Sequence, residues 1–288
     1  MNVADLLDRC TFPPRATPVA CALSGGPDST ALVALAVRAG CEVTAHHVDH
    51  RLRPDSGDDA RVARHLAAAL GVPLVSHTVE VGAGPNLEAR ARDVRRAVLP
   101  GQVMTGHTAD DQAETVLLRL LRGAGSTGLS AMEPGHRHPI LGLRRAETRA
   151  LCDHLGLTTA IDPTNTEPRF LRNRVRAELL PLLDRLAGRD MVPLLTRTAD
   201  LARDDSQLLD ELASTLDPTD ARAVATAPRP LARRAVRRWL TVDGYPPDAA
   251  TVDRVLGVAE GRVVACEVGA GRRVERSRQR LRVVECAG

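Results

Sequence analysis

Residues Cys21-Ala22-Leu23-Ser24-Gly25-Gly26-Pro27-Asp28-Ser29-Thr30 are an apolar run that breaks at a glycine pair, and Ala31-Leu32-Val33-Ala34-Leu35-Ala36-Val37 resumes it with helical periodicity. The stretch reads as strand, tight loop and helix. Adjacent glycines let a backbone approach an anion closely and take angles closed to other residues. The helix start that follows directs unpaired N–H groups and the positive end of its dipole into the same space. Such a loop is suited to phosphate. A Walker loop would end in Gly-Lys-Ser/Thr, and the chain contains no lysine. Ser24 and Ser29 can donate to phosphate oxygens. Asp28 beside an anion would repel it unless a divalent cation stands between them, which implies Mg2+ with Asp28 as its ligand.

Working outward, apolar strands alternate with amphipathic helical stretches over 19–23, 29–39, 42–47, 56–70, 74–79, 87–98, 102–105 and 110–122. This alternation predicts an α/β fold with a doubly wound parallel sheet, whose ligands bind at the carboxyl ends of the strands. From 179 to 212 the pattern is helical, with Pro181 and Pro193 marking boundaries, and beyond Asp217 a smaller C-terminal α+β domain follows. The 288 residues are enough for one large domain and a smaller one. No apolar run reaches the roughly 18 residues of a membrane span, and the first eleven residues lack the pattern of a signal peptide, so a cytoplasmic protein without membrane contact is expected. Six cysteines without any Cys-x-x-Cys suggest neither zinc nor disulfides.

With a strand before it and a helix after it, Ser24-Gly25-Gly26-Pro27-Asp28-Ser29 resembles the SGGxDS pyrophosphate loop, or PP-loop, of the N-type ATP pyrophosphatases. The resemblance implies that ATP is split between its α and β phosphates to adenylate a substrate, with these six residues holding ATP or pyrophosphate. After the second strand, His47-Val48-Asp49-His50-Arg51-Leu52-Arg53 resembles the adenosine-contacting segment of the tRNA(Ile)-lysidine synthases, where backbone near Val48 would meet the adenine. A metal site is the other reading of these histidines, but neighbours on a strand point to opposite faces.

Thr105-Gly106-His107-Thr108-Ala109-Asp110-Asp111-Gln112-Ala113-Glu114-Thr115 puts Asp111 and Glu114 on one helical face with His107 just before the helix. Asp110 reads as a simple helix cap. The paired carboxylates can bind magnesium or a cationic amine. Their Gly-His-x-x-Asp-Asp-x-x-Glu-Thr pattern is similar to the lysidine synthases. Arg92 and Arg95 share a helical face that the family pattern marks as basic, with Arg96 where the family has tyrosine. Asp162-Pro163-Thr164-Asn165 and Arg172-Asn173-Arg174-Val175-Arg176 resemble two further family motifs, whereas His138-Pro139-Ile140-Leu141 stands where the family has Arg-Pro-Leu-Leu.

The resemblance therefore implies a ligase that joins L-lysine to C2 of the anticodon's wobble cytidine, through an adenylated tRNA(Ile), releasing AMP and diphosphate. It implies ATP and Mg2+ as cofactors, with tRNA(Ile) bearing a CAU anticodon and free L-lysine as partners; a homodimer stays open. His107, Asp111, Glu114 and Arg172 would be catalytic, Asp111 and Glu114 receiving lysine and His107 and Arg172 stabilising the charged intermediate. Residues 1–184 would form the catalytic domain, 185–216 a helical linker, and 217–288 a tRNA-binding appendage. There Arg233, Arg234, Arg237 and Arg238 would form one basic face, with Arg276, Arg278, Arg280 and Arg282 along a strand or at a hairpin tip. Two alternatives are a tRNA thiolation enzyme of the same superfamily and a non-catalytic adenine-nucleotide-binding module.

Overall fold

A short helix α1 (Val3–Leu7) leads to strand β1 (Pro18–Ala22), and the periodic run after the glycine pair forms helix α2 (Pro27–Arg38), capped by Gly26 and started by Pro27. The computed structural model describes residues 2–49, 56–79, 90, 94, 96–160, 170–242 and 244–286. Residues Ser29 to Ala36 of α2 are all buried, as a helix apolar on every side must be. Strand β2 (Glu42–Asp49), helix α3 (Ser56–Ala69) and strand β3 (Leu74–Thr78) follow. β1 pairs in parallel with β2, setting Cys21 opposite Ala45, and β2 in parallel with β3, setting His47 opposite Ser76.

On the other side of β1, Ala22 N–H donates to Met104 O and Met104 N–H to Ala20 O. The order across the sheet is thus β3-β2-β1-Met104. With β2 and β3 on one side of β1 and Met104 on the other, the strand order reverses beside β1 and creates a topological switch point there. The strand expected over 102–105 is reduced to this single bridge at Met104, because Thr105 N–H turns away to Arg137 O at 2.9 Å. Leu23, Leu32, Leu35, Leu66, Ile140 and Leu151 fill the core beneath the sheet.

Helices α4 (Ala109–Leu121), α5 (Ser126–Leu129), α6 (Arg145–His154) and α7 (Leu171–Arg174) come next. A π-helical turn over Val175–Leu179 joins α7 to α8 (Leu180–Ala187). The prolines mark boundaries as the sequence predicts: Pro181 lies in the first turn of α8, Gly188 ends that helix, and Pro193 lies in the first turn of α9 (Val192–Ser214). The chain divides into two compact units, 1–200 and 201–288, within α9.

In the second unit, helices α10 (Ala221–Thr226), α11 (Arg229–Leu240) and α12 (Ala249–Ala259) share a core with antiparallel strands β4 (Ala265–Gly269), β5 (Arg272–Ser277) and β6 (Arg280–Glu285). Of the two arrangements that the sequence leaves open around Arg276 to Arg282, the hairpin forms, and its central residues, Arg278 and Gln279, both have positive φ (48° and 63°). Two such residues make the tight turn whose twist matches flanking strands. No described helix is long and apolar enough to cross a membrane.

Candidate active site

The loop is braced by its own hydroxyls. Ser29 Oγ accepts from Ser24 N at 3.1 Å, donates to Gly26 O at 2.9 Å and meets Ser24 Oγ at 3.0 Å. Gly25 has φ +93°, which side chains rarely adopt. At the neighbouring strand end His47 Nδ1 contacts Leu23 O at 2.9 Å, and Val48 is paired opposite His77 in β3. Gly106 shows how tightly the second motif is set against the loop: a Cβ there would lie 2.6 Å from Asp28 O and 2.8 Å from Ser29 N. Only glycine allows the backbone before α4 to touch the first turn of α2, and this contact brings the phosphate loop and the acidic motif together.

Asp110 is not the helix cap that the sequence suggests. Asp111 at N3 reaches back to Thr108, accepting from both its N and Oγ1 at 2.9 Å. Asp110 instead accepts from Arg145 N at 2.8 Å and from Arg144 Nε at 3.1 Å. The second Asp111 oxygen, Oδ1, faces Arg145 Nη2 at 2.9 Å and Arg172 Nη2 at 3.5 Å. Glu114 is 0% exposed and meets three guanidinium groups: Arg145 Nη1 at 3.1 Å, Arg172 Nε at 2.8 Å and Arg176 Nε at 2.6 Å. Arg172 and Arg176 reach it together from α7 and the π-helical turn that continues it.

Arg145 is the centre of this cluster, because its Nε also approaches Asp28 Oδ2 at 3.4 Å while Thr148 donates to Asp28 Oδ1. Three arginines thus face three carboxylates, and the charges balance. The carboxylates nevertheless differ. Burial raises the pKa of Asp28, and Thr148 and Arg145 offset only part of that. Burial also pushes Asp111 up, but Arg145, Arg172 and the Thr108 amide together hold it below the ordinary 3.8. Arg145 is desolvated as well, yet Asp111, Glu114 and Asp28 keep its pKa raised and the group charged.

Reading the motifs alone misses Arg145. A signal for it exists: Arg144 and Arg145 open α6, where the helix dipole disfavours cations, so a doublet of arginines there demands carboxylates from elsewhere. His107 stands outside the carboxylate cluster. Its Nδ1 contacts Thr105 Oγ1 at 2.7 Å and His138 Nδ1 at 3.2 Å.

Arg92, Arg95, His50 to Arg53 and Asp162 to Asn165 lie outside the described residues. In the second unit the four arginines of α11 do not form one free face. Arg233 pairs with Asp253 at 3.0 Å, whereas Arg234 donates to Asp210 at 2.8 Å and to Ser206 O, and Arg238 donates to Ala213 O. Acceptors on two different sides split them, and Arg237 alone of the four makes no side-chain bond among the described residues. Arg276 and Arg280 at the hairpin are likewise engaged, by Ala259 O and by Asp217.

The fold is similar to that of the U34-tRNA thiolase NcsA from Methanococcus maripaludis with its 4Fe-4S cluster, at a TM-score of 0.54 and 16% identity over 70% of this chain and 78% of that one. The PP-loop domain family matches residues 2–183, which include the loop, the acidic helix and Arg145, Arg172 and Arg176. The tRNA(Ile)-lysidine synthase of Mycolicibacterium paratuberculosis is 46% identical over 238 residues, covering 77% of this chain and 74% of the relative. That of Nocardia farcinica is 44% identical over 270 residues, covering 88% and 84%. With a loop, an acidic helix and their arginine partners folded onto one switch point, and with this identity over most of both chains, the protein belongs to the tRNA(Ile)-lysidine synthase family.

Proposed function

We propose that the chain joins the ε-amine of free L-lysine to C2 of the wobble cytidine in the CAU anticodon of tRNA(Ile). ATP first adenylates the cytidine O2 with loss of diphosphate, and the amine then displaces AMP. The observation that carries this reading is the meeting of a phosphate loop with a buried cluster of carboxylates and arginines at the switch point.

Ser24, Gly25, Gly26, Pro27 and Ser29 hold the departing diphosphate, and backbone near Val48 meets the adenine. Asp28 fits Mg2+: it stands in the first turn of α2, its carboxylate is only partly compensated, and its guanidinium contact is long. Bound there, the ion would neutralise phosphate charge. Phosphate oxygens and water would complete the coordination of a cation held by this one carboxylate.

Asp111 and Glu114 receive the lysine ammonium or position its amine, although the Arg145 guanidinium now fills the space between them. Phosphates are strong partners for arginine forks. Each guanidinium drawn to bound ATP leaves a carboxylate for the ammonium, so ATP binds before lysine. His107 and Arg172 stabilise the adenylated intermediate. Residues 217–288, with Arg92 and Arg95 of the first unit, grip the tRNA backbone, and 185–216 connect them to the catalytic part. Thiolation finds less support: burial pushes Cys10 and Cys21 up to about 12 and Cys152 up to about 11, so these thiols stay protonated.

Incubation of the purified chain with a CAU-anticodon tRNA(Ile) transcript, ATP and labelled lysine should give ATP-dependent label in acid-precipitable tRNA. Diphosphate release without incorporated lysine would point to another acceptor and overturn the reading.

A further inference from the structure

Thr105, His107 and His138 form a closed hydrogen-bonded triangle beside α4. Thr105 Oγ1 lies 2.7 Å from His107 Nδ1 and 2.8 Å from His138 Nδ1, the two Nδ1 atoms are 3.2 Å apart, and the rings meet edge to face. A hydroxyl has one proton to give. Two bare Nδ1 lone pairs at this separation would repel, and two Nδ1–H groups would collide, so the pair carries one Nδ1 proton between them. We propose that His138 is a positioning residue that, with Thr105, keeps the proton of His107 on Nδ1 and so leaves Nε2 as its basic atom. This rests on the reading of His107 as part of the lysidine-forming site.

His138 is the better acceptor of the two positions. Burial, together with Arg137, lowers its pKa, and Glu133 offsets only part of that, which favours the neutral ring that can accept. His107, by contrast, is near enough to the Asp111 carboxylate to help lower its pKa. His138 also lines a cavity of about 250 Å³ with Arg9, Gln112, Leu141 and Asp200. In the direction inferred, His107 Nδ1–H donates to Thr105 Oγ1 and the Thr105 hydroxyl donates to His138 Nδ1 at 2.8 Å in preference to Arg137 O, which lies farther from it at 3.2 Å and already accepts from Thr105 N. The imidazole so fixed can take the proton that lysine's amine loses on attack.

Two variants separate positioning from packing. His138→Asn keeps a polar atom near the place of Nδ1, while His138→Leu keeps bulk without it. Long-range 1H–15N correlation of the imidazole rings should show His107 protonated on Nδ1 in the wild type and in His138→Asn, and mainly on Nε2 in His138→Leu. In lysine transfer His138→Leu should lose roughly tenfold to a hundredfold in kcat with KM for ATP unchanged. The acid limb of its pH–rate profile should move to lower pH, because the imidazolium no longer has an acceptor there. A wild-type His107 tautomer and pH profile in His138→Leu would overturn the proposal, as would equal loss in both variants. Because the tautomer is read without turnover, a chain that shifts it but transfers no lysine would break the functional reading and leave the positioning role intact.

Discussion

Both units are rich in arginine, yet the residue does different work in each. In the first, Arg145, Arg172 and Arg176 converge on Asp111 and the fully buried Glu114, and no carboxylate oxygen of Glu114 is left to water. In the second, Arg233 and Asp253 are 50% and 39% exposed, and Arg237, Arg278 and Arg282 make no ion pair among the described residues. Buried charges must be balanced because each lone ion costs several kcal/mol, whereas exposed pairs contribute about 0–1 kcal/mol and are screened by salt. The difference teaches which arginines the fold cannot do without and which are free to meet a partner.

The sharpest way to break the contrast is to remove the hub. Arg145→Met should leave Asp28, Asp111 and Glu114 facing one another without their shared cation, destabilising the first unit by about 3–5 kcal/mol and abolishing activity. Urea denaturation of the variant checks this. A loss under about 1 kcal/mol would show that Arg172 and Arg176 suffice, and that the cluster is not centred on Arg145.

Within the cluster the two aspartates should respond with opposite sign. Burial raises the pKa of Asp28, so its ionisation costs stability increasingly as pH rises above 3.8. Asp28→Asn should therefore be at least as stable as the wild type at pH 7, while diphosphate release is lost. Asp111 has a lowered pKa, so its contribution is complete above 3.8 and fades as pH falls below that value. Asp111→Asn should flatten this acid-side loss. Its lysine affinity in the presence of a non-hydrolysable ATP analogue, measured by calorimetry, should drop at least tenfold while the affinity for the analogue itself hardly changes. Lost analogue binding in Asp111→Asn would move that carboxylate from lysine to the metal.

How far these sites can be read in advance follows from the range of each interaction. The loop is legible because strand, glycine pair and helix are neighbours in the chain, and the acidic face because Asp111 and Glu114 are three apart on one helix. Arg145 is hidden because its partners lie 31 to 117 positions away, and only the order of strands brings them together. The same order reduces the expected strand over 102–105 to one bridge, since Thr105 has a better acceptor in Arg137 O. The role of Asp110 escapes local reading for the same reason: a local cap and a distant guanidinium compete for it, and the distant group prevails. In α11 helical spacing correctly buries Ala232, Ala235 and Val236, but it does not say which exposed arginines meet Asp253 or Asp210.

The smallest expected effects lie in the second unit and sharpen the contrast from its other side. Arg234 is only 14% exposed and donates to Ser206 and Asp210, so Arg234→Ala should lower stability and confuse any binding measurement. Arg233 already has Asp253, and a phosphate would have to displace that carboxylate to use it. Among the described residues Arg237, Arg278 and Arg282 carry no such competitor, so they should supply phosphate contacts in place of the quartet that helical spacing suggests. Replacing these three by alanine should leave stability and ATP affinity unchanged while weakening tRNA binding. The dependence of log K on log salt should flatten by about 0.7–0.9 for each phosphate that is no longer neutralised. Arg233→Ala should flatten it less, because part of that charge is engaged by Asp253. Equal slopes for the triple variant, Arg233→Ala and the wild type, measured by filter binding between low and physiological salt, would show that the second unit's arginines are ordinary solvated surface and that tRNA is held elsewhere.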